Sequence, residues 1–207
     1  MPDAVDKPAL SANPWNLPNL ITLVRLGMSL VLFGLMDFNT AWAICATVFA
    51  VAAGTDFLDG YIARKYKLVT VLGRILDPFV DKVIVCGAFL FLLPHTNSGV
   101  TAWMTLIVIG REMLVTQLRS WLEQQGRDFS AAWIGKLKML LQCVALVVAM
   151  LLLDPAITAW LKNQQMTTVA TISRDILLWT ATAVTVYSGA IYVLRGISIY
   201  REIQRGA

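Results

Sequence analysis

The sequence predicts an all-α integral membrane protein, a six-transmembrane-helix bundle preceded by a short N-terminal interfacial arm. Two observations carry that prediction. The chain is 57% hydrophobic and only 14% charged over 207 residues, with a mean hydropathy of +0.67, well outside the composition of soluble domains. Its apolar residues also gather into runs at 20–37, 41–63, 73–93, 100–121, 137–153 and 175–197, and roughly 20 residues at helical rise cross a hydrocarbon core. Backbone groups in lipid must be satisfied within the segment, which favours helices. The alternating pattern of a transmembrane barrel does not occur in these runs.

Taken in order, residues 1–18 form the arm. They carry Asp3, Asp6 and three prolines before Asn16, with no short apolar core and no small-residue cleavage site, so they do not read as a signal peptide. Trp15 suits an arm lying at the interface. The bundle occupies 19–200 and a short tail 201–207. Span one opens with Asn19, Thr22 and Arg25, and span two closes with Asp56, Asp59, Gly60 and Arg64. Span three opens with Gly73, Asp77 and Asp81, span four closes with Arg119, span five opens with Lys136 and Lys138, and span six closes with Arg195. Every span therefore brings polar residues to the same side.

The distribution of lysine and arginine orients the bundle. Lys65, Lys67, Arg127, Lys136, Arg201 and Arg205 fall on one side, against Lys162 and Arg174 on the other, which predicts a multi-pass inner-membrane protein with both termini cytoplasmic. The polar cluster then lies at the cytoplasmic face. A net charge of +4 fits anionic headgroups and anionic substrates; no basic and aromatic surface suggests a nucleic acid. Trp42, Trp103 and Trp160 near the outer boundary, and Trp121 and Trp133 near the inner, read as interface belts. Cys45, Cys86 and Cys143 lie in apolar runs without metal-type spacing and read as packing residues, and His95 as an ordinary loop residue.

The acids are the anomaly. Asp56 and Asp59 stand at i, i+3, and Gly73, Asp77 and Asp81 at i, i+4, i+8, so each set shares a helix face. A carboxylate at membrane depth costs on the order of 2.5–3.5 kcal/mol, and clustered like charges raise one another's pKa values. Such a cluster calls for a cation. Carboxylate oxygens suit hard divalent ions such as Mg²⁺ or Mn²⁺, and four could hold two ions at the ~4 Å spacing used in phosphoryl transfer. Gly60 and Gly73 leave room for a phosphate to approach the backbone. Taken singly, each aspartate also reads as a helix-packing partner or a proton relay.

The stretch Asp56-x-x-Asp59-Gly60-x-x-Ala63-Arg64, followed by Gly73-x-x-x-Asp77-x-x-x-Asp81, resembles the signature of the CDP-alcohol phosphotransferases. Three further segments, "NLPNLITLVRL", "GREMLVTQLRSWLEQQG" and "WIGKLKMLLQ", resemble a bacterial branch of that family that transfers the phosphatidyl group of CDP-diacylglycerol to glycerol 3-phosphate. Met139 stands where that branch is expected to carry threonine. The resemblance implies the family's fold, a two-metal reaction and a homodimer. By the same resemblance Asp56, Asp59, Asp77 and Asp81 are metal ligands, and Asp81 is also the base toward the acceptor hydroxyl. Gly60, Arg64, Thr70 and Gly73, with Asn19, Leu20, Ile21 and Thr22, are expected to border CDP-diacylglycerol.

Arg111, Arg119, Lys136, Lys138 and Arg195 exceed what the four acids require, and they suit an acceptor that itself carries a phosphate. Each also reads as an inner-face anchor, and Arg111 as the ion-pair partner of adjacent Glu112. Alternatives to the reaction are the same chemistry on inositol phosphate or another alcohol, a proton-coupled transporter, or a structural scaffold. Transporters usually show more spans and internal repeats, which this chain does not display.

Overall fold

The computed structural model describes residues 17–39, 41–66, 71–125 and 133–206. Helices α1 (Leu17–Asp37), α2 (Trp42–Tyr66), α3 (Val71–Leu92), α4 (Ala102–Gln124), α5 (Trp133–Leu151), α6 (Pro155–Asn163) and α7 (Thr167–Gly206) follow one another, with a 3₁₀ turn at Thr96–Ser98 before α4. The described residues contain no strand. Six of these helices coincide with the six apolar runs. Asn19–Asp37, Trp133–Leu151 and Thr167–Glu202 are long and apolar enough to cross a membrane, as expected of a membrane protein. Among the described residues α2 contributes a shorter apolar stretch, Trp42–Thr55.

Helix α1 packs on α2 and α3, α5 on α2 and α7, and α4 along α7. Side chains divide the bundle lengthwise. Leu32 and Met36 from the end of α1 meet Phe49 from the start of α2, Phe89 from the end of α3, Met104 from the start of α4, and Leu146 and Leu178, all buried in one apolar core. The other half is polar inside. Asn19, Thr22, Arg25 and Ser29 form a fully buried stripe on α1, while Leu20, Val24, Leu30 and Val31 on the same helix are exposed. Polar residues facing in and aliphatic residues facing out is the arrangement lipid imposes, since a polar group in hydrocarbon needs a protein partner.

Three features depart from the sequence expectations. Helix α6 occupies a stretch assigned to no span: Asp154, in extended conformation, accepts hydrogen bonds from the Ala156 and Ile157 amides, and Pro155 supplies the first turn. The last helix is longer than the run 175–197, for α7 continues unbroken to Gly206. Trp42 is not an interface ring. It is only 3% exposed, its Nε1 donates to Asn39 Oδ1 at 2.9 Å, and its ring meets His95 edge-on at 4.7 Å, so the turn between α1 and α2 folds it inward. Trp103, Trp133 and Trp160 are exposed.

Loops at the apolar end are tightly pinned. Arg174, buried on α7, donates to the Asn97 carbonyl at 2.5 Å and to Asp175. Gly99 takes φ +75°, and a Cβ there would lie 2.6 Å from Arg174 Nε; only glycine meets both conditions.

Candidate active site

The last turns of α2 carry Asp56, Asp59, Gly60, Ala63 and Arg64, and the first turns of α3 carry Gly73, Asp77 and Asp81. Thr70 lies outside the described residues, as do the side chains of Asp56, Asp59, Gly60, Arg64, Gly73 and Asp77. Helix α3 continues through Pro78. Among the described residues no cluster of three metal-ligating side chains occurs.

Asp81 is the described member of the acidic set. Its Oδ1 accepts from Arg25 Nη1 at 2.8 Å, and Arg25 is only 2% exposed. The arginine comes from the polar stripe of α1, where Asn19 and Thr22 precede it at helical spacing. Both of these expected donor-site residues are buried, whereas Leu20 is half exposed on the opposite face and Ile21 lies between. An arginine so deep in an apolar helix requires an anionic partner; the sequence places Arg25 at this end of the bundle without indicating Asp81 as that partner.

Beside Asp81 opens a cavity of about 730 Å³ between α3, α4, α5 and α7. Among the described residues Lys82, Arg111, Arg119, Lys136 and Lys138 line it, against two carboxylates, Asp81 and Glu112. Four of the five cations expected to hold an acceptor phosphate thus share one wall system. Arg195 does not: it is exposed on α7 and absent from the lining, while Tyr192 and Gly196 on the same helix are buried. Lys82, which sequence reasoning passed over, takes part instead; it directly follows Asp81.

Glu112 organises the basic wall. Its Oε1 accepts from Arg111 Nη1 at 3.1 Å and from Lys138 Nζ. Arg111 also lies over the Tyr192 ring, 5.4 Å from the centroid, at cation–π distance. Gly189 makes room for it, since a Cβ there would lie 3.0 Å from Arg111 Cγ. Arg111 is thus paired with Glu112, as its neighbour in sequence suggested, and also lines the cavity. The buried Nε atoms of Arg111 and Arg119 find no hydrogen-bond acceptor among the described residues. Buried guanidinium donors are costly to leave unmade, and an anion in the cavity would complete them. Gln142, whose Nε2 donates to Thr185 Oγ1 at 2.9 Å, lines the cavity from α5 and is buried.

Comparison with known proteins places the chain in a family. The profile described as CDP-alcohol phosphatidyltransferase matches residues 15–194, which takes in both the acidic segment and the cavity. A protein of Sodalis glossinidius named CDP-diacylglycerol–glycerol-3-phosphate 3-phosphatidyltransferase is 40% identical over 139 residues, 64% of this chain and 75% of its own length. A Pseudomonas fluorescens protein of the same name is 36% identical over 154 residues, 70% of this chain and 76% of its own. With residues 15–194 matched, well over half of its length, the chain belongs to the CDP-alcohol phosphatidyltransferase family.

Proposed function

We propose that the protein transfers the phosphatidyl group of CDP-diacylglycerol to a primary hydroxyl of glycerol 3-phosphate, yielding phosphatidylglycerophosphate and CMP. One observation carries the reading: Asp81 stands at the edge of a cavity whose wall, among the described residues, holds five cations and two carboxylates. A phosphorylated alcohol uses that excess charge, and an uncharged alcohol does not. The names of the relatives support the same pair of substrates.

In this reading Asp81 accepts the proton of the acceptor hydroxyl, whose oxygen bonds to the lipid-linked phosphorus as the bond to the CMP oxygen breaks. The phosphate end of the acceptor lies against Arg111, Arg119, Lys136 and Lys138, with arginine forks giving paired contacts. Gly60, Arg64, Thr70 and Gly73, with the opening of α1, border the cytidine diphosphate. Asp56, Asp59, Asp77 and Asp81 present an all-oxygen donor set at i, i+3 on α2 and i, i+4 on α3, which fits Mg²⁺ or Mn²⁺. These four residues would hold two such ions, which when bound supply neutralisation of the pyrophosphate charge. Arg25 keeps the Asp81 carboxylate aimed between the acidic segment and the cavity.

The six long helices then span the inner membrane as one domain, with arm and C-terminus cytoplasmic, and two copies pair as a homodimer. A site at the cytoplasmic boundary leaves the acyl chains in lipid and the nucleotide in water. The test is CMP release from CDP-diacylglycerol by the purified protein in detergent, with Mg²⁺ or Mn²⁺, comparing glycerol 3-phosphate with inositol phosphate. Release with glycerol 3-phosphate alone, reduced at least about a thousandfold in Asp81→Asn, is expected. Release with inositol phosphate alone would overturn the acceptor assignment, and undiminished release by Asp81→Asn would overturn the role of Asp81.

A further inference from the structure

Glu112 is an unexpected residue in a site built for a phosphate. A carboxylate there repels the ligand that the surrounding cations attract, and ordering Lys138 and Arg111 does not require that it line the cavity. Yet it does line it, with its side chain 13% exposed. Its two oxygens also differ. Both hydrogen bonds, from Arg111 and from Lys138, converge on Oε1. Oε2 has no hydrogen-bond partner among the described residues and is not sealed from the cavity. An ionised carboxylate only accepts hydrogen bonds, so the free oxygen calls for a donor on the ligand.

We infer that Glu112 is a specificity residue, reading the secondary hydroxyl that lies between the phosphate and the attacking end of a three-carbon acceptor. This rests on the reaction proposed above. The cations hold the phosphate, Asp81 faces the reacting hydroxyl, and Glu112 Oε2 accepts from the hydroxyl between them. A ketone at that carbon offers only lone pairs to the carboxylate, and a methylene offers nothing, so in both cases a nearly buried charge loses its partner. Sites that hydrogen-bond a substrate hydroxyl discriminate strongly against analogues that lack it. The pairing with Lys138 and Arg111 at Oε1 fixes which oxygen is presented.

The probes are glycerol 3-phosphate, dihydroxyacetone phosphate and 3-hydroxypropyl phosphate, compared by kcat/KM for CMP release. Wild type is expected to favour glycerol 3-phosphate over each analogue by on the order of a hundredfold or more. Glu112→Gln keeps the shape and adds an amide that donates to a ketone. It should lower all rates through the loosened cations, yet narrow the preference over dihydroxyacetone phosphate to about tenfold or less. The ratio cancels the common loss, and the analogue series on the wild type stands even where the variant does not fold. Equal use of 3-hydroxypropyl phosphate by the wild type, or an unchanged preference in Glu112→Gln, overturns the assignment to Glu112. No release from glycerol 3-phosphate by the wild type overturns the reaction itself, and this role with it.

Discussion

Arg25 and Asp81 stand 56 residues apart and meet at 2.8 Å, and their pairing decides how much the site costs the fold. Breaking a buried ion pair by removing one partner costs about 3 kcal/mol or more. Asp81 is 27% exposed, so some of that is recovered from solvent. Arg25→Gln is therefore expected to lower the melting midpoint in detergent by about 6–10 °C, besides reducing CMP release. A midpoint within 1–2 °C of wild type, read by a thermal-shift assay, would show that Arg25 adds nothing to stability. The acids and most of the cations were legible in the sequence, because charged residues in apolar runs are conspicuous. Their partners were not. Periodicity places Arg25 on a face of α1 but does not say that α3 lies opposite, and it cannot reveal that Glu112 draws Lys138 from α5. Arg195 misled for the same reason: its depth along the span was right, and its face was settled only by how α7 rotates against α4.

Between the helices, one residue joins two elements. Asp154 caps α6 through Oδ1, and its Oδ2 accepts from the Ala43 amide at 3.0 Å in the first turn of α2. Helix α2 has no capping side chain of its own to offer: Ala41, just before it, holds φ +48°, a conformation that disfavours residues with a Cβ. The Asp154 carboxyl is held below its ordinary value by the hydrogen bond from Ala43 foremost, and by those from Ile157 and Ala156. A pKa depressed on folding contributes stability above the unfolded value, about 3.9, and that contribution is lost as pH falls through the lower folded value. Asp154→Ala should melt about 3–6 °C below wild type at pH 7, and the gap should shrink only below about pH 4. A gap that closes already between pH 7 and 5 would assign it to another group. Helix α6 itself escaped sequence reasoning because its nine residues are too few for an apolar period to register. Its signal was local, an aspartate followed by proline, which is a helix start.

For the molecule as a whole, the helical bundle, its six long helices and the gathering of polar residues at one end were readable from composition and run length, since lipid allows few architectures. The division into an apolar core and a polar half is what gives the protein a direction. Helix α7, 40 residues long, extends about 60 Å, roughly twice a hydrocarbon core, and its C-terminal turns with Arg201 lie at the end of the bundle where the cavity opens. The proposed reaction requires that side to be cytoplasmic, where a soluble phosphorylated acceptor is made, and the lysine and arginine asymmetry agrees. Single cysteines test this directly. Gln204 is exposed near the end of α7, and Gln164 is exposed in the turn between α6 and α7 at the opposite end. Gln204→Cys should react with a membrane-impermeant maleimide in inverted vesicles and stay protected in spheroplasts; Gln164→Cys should do the reverse. The native thiol of Cys45 is buried, and those of Cys86 and Cys143 lie partly buried within the bundle, so the parent chain supplies the baseline. The opposite labelling pattern would turn the cavity away from the cytoplasm, leave the acceptor phosphate on the wrong side of the membrane, and sink the proposed reaction whatever the geometry of the cations.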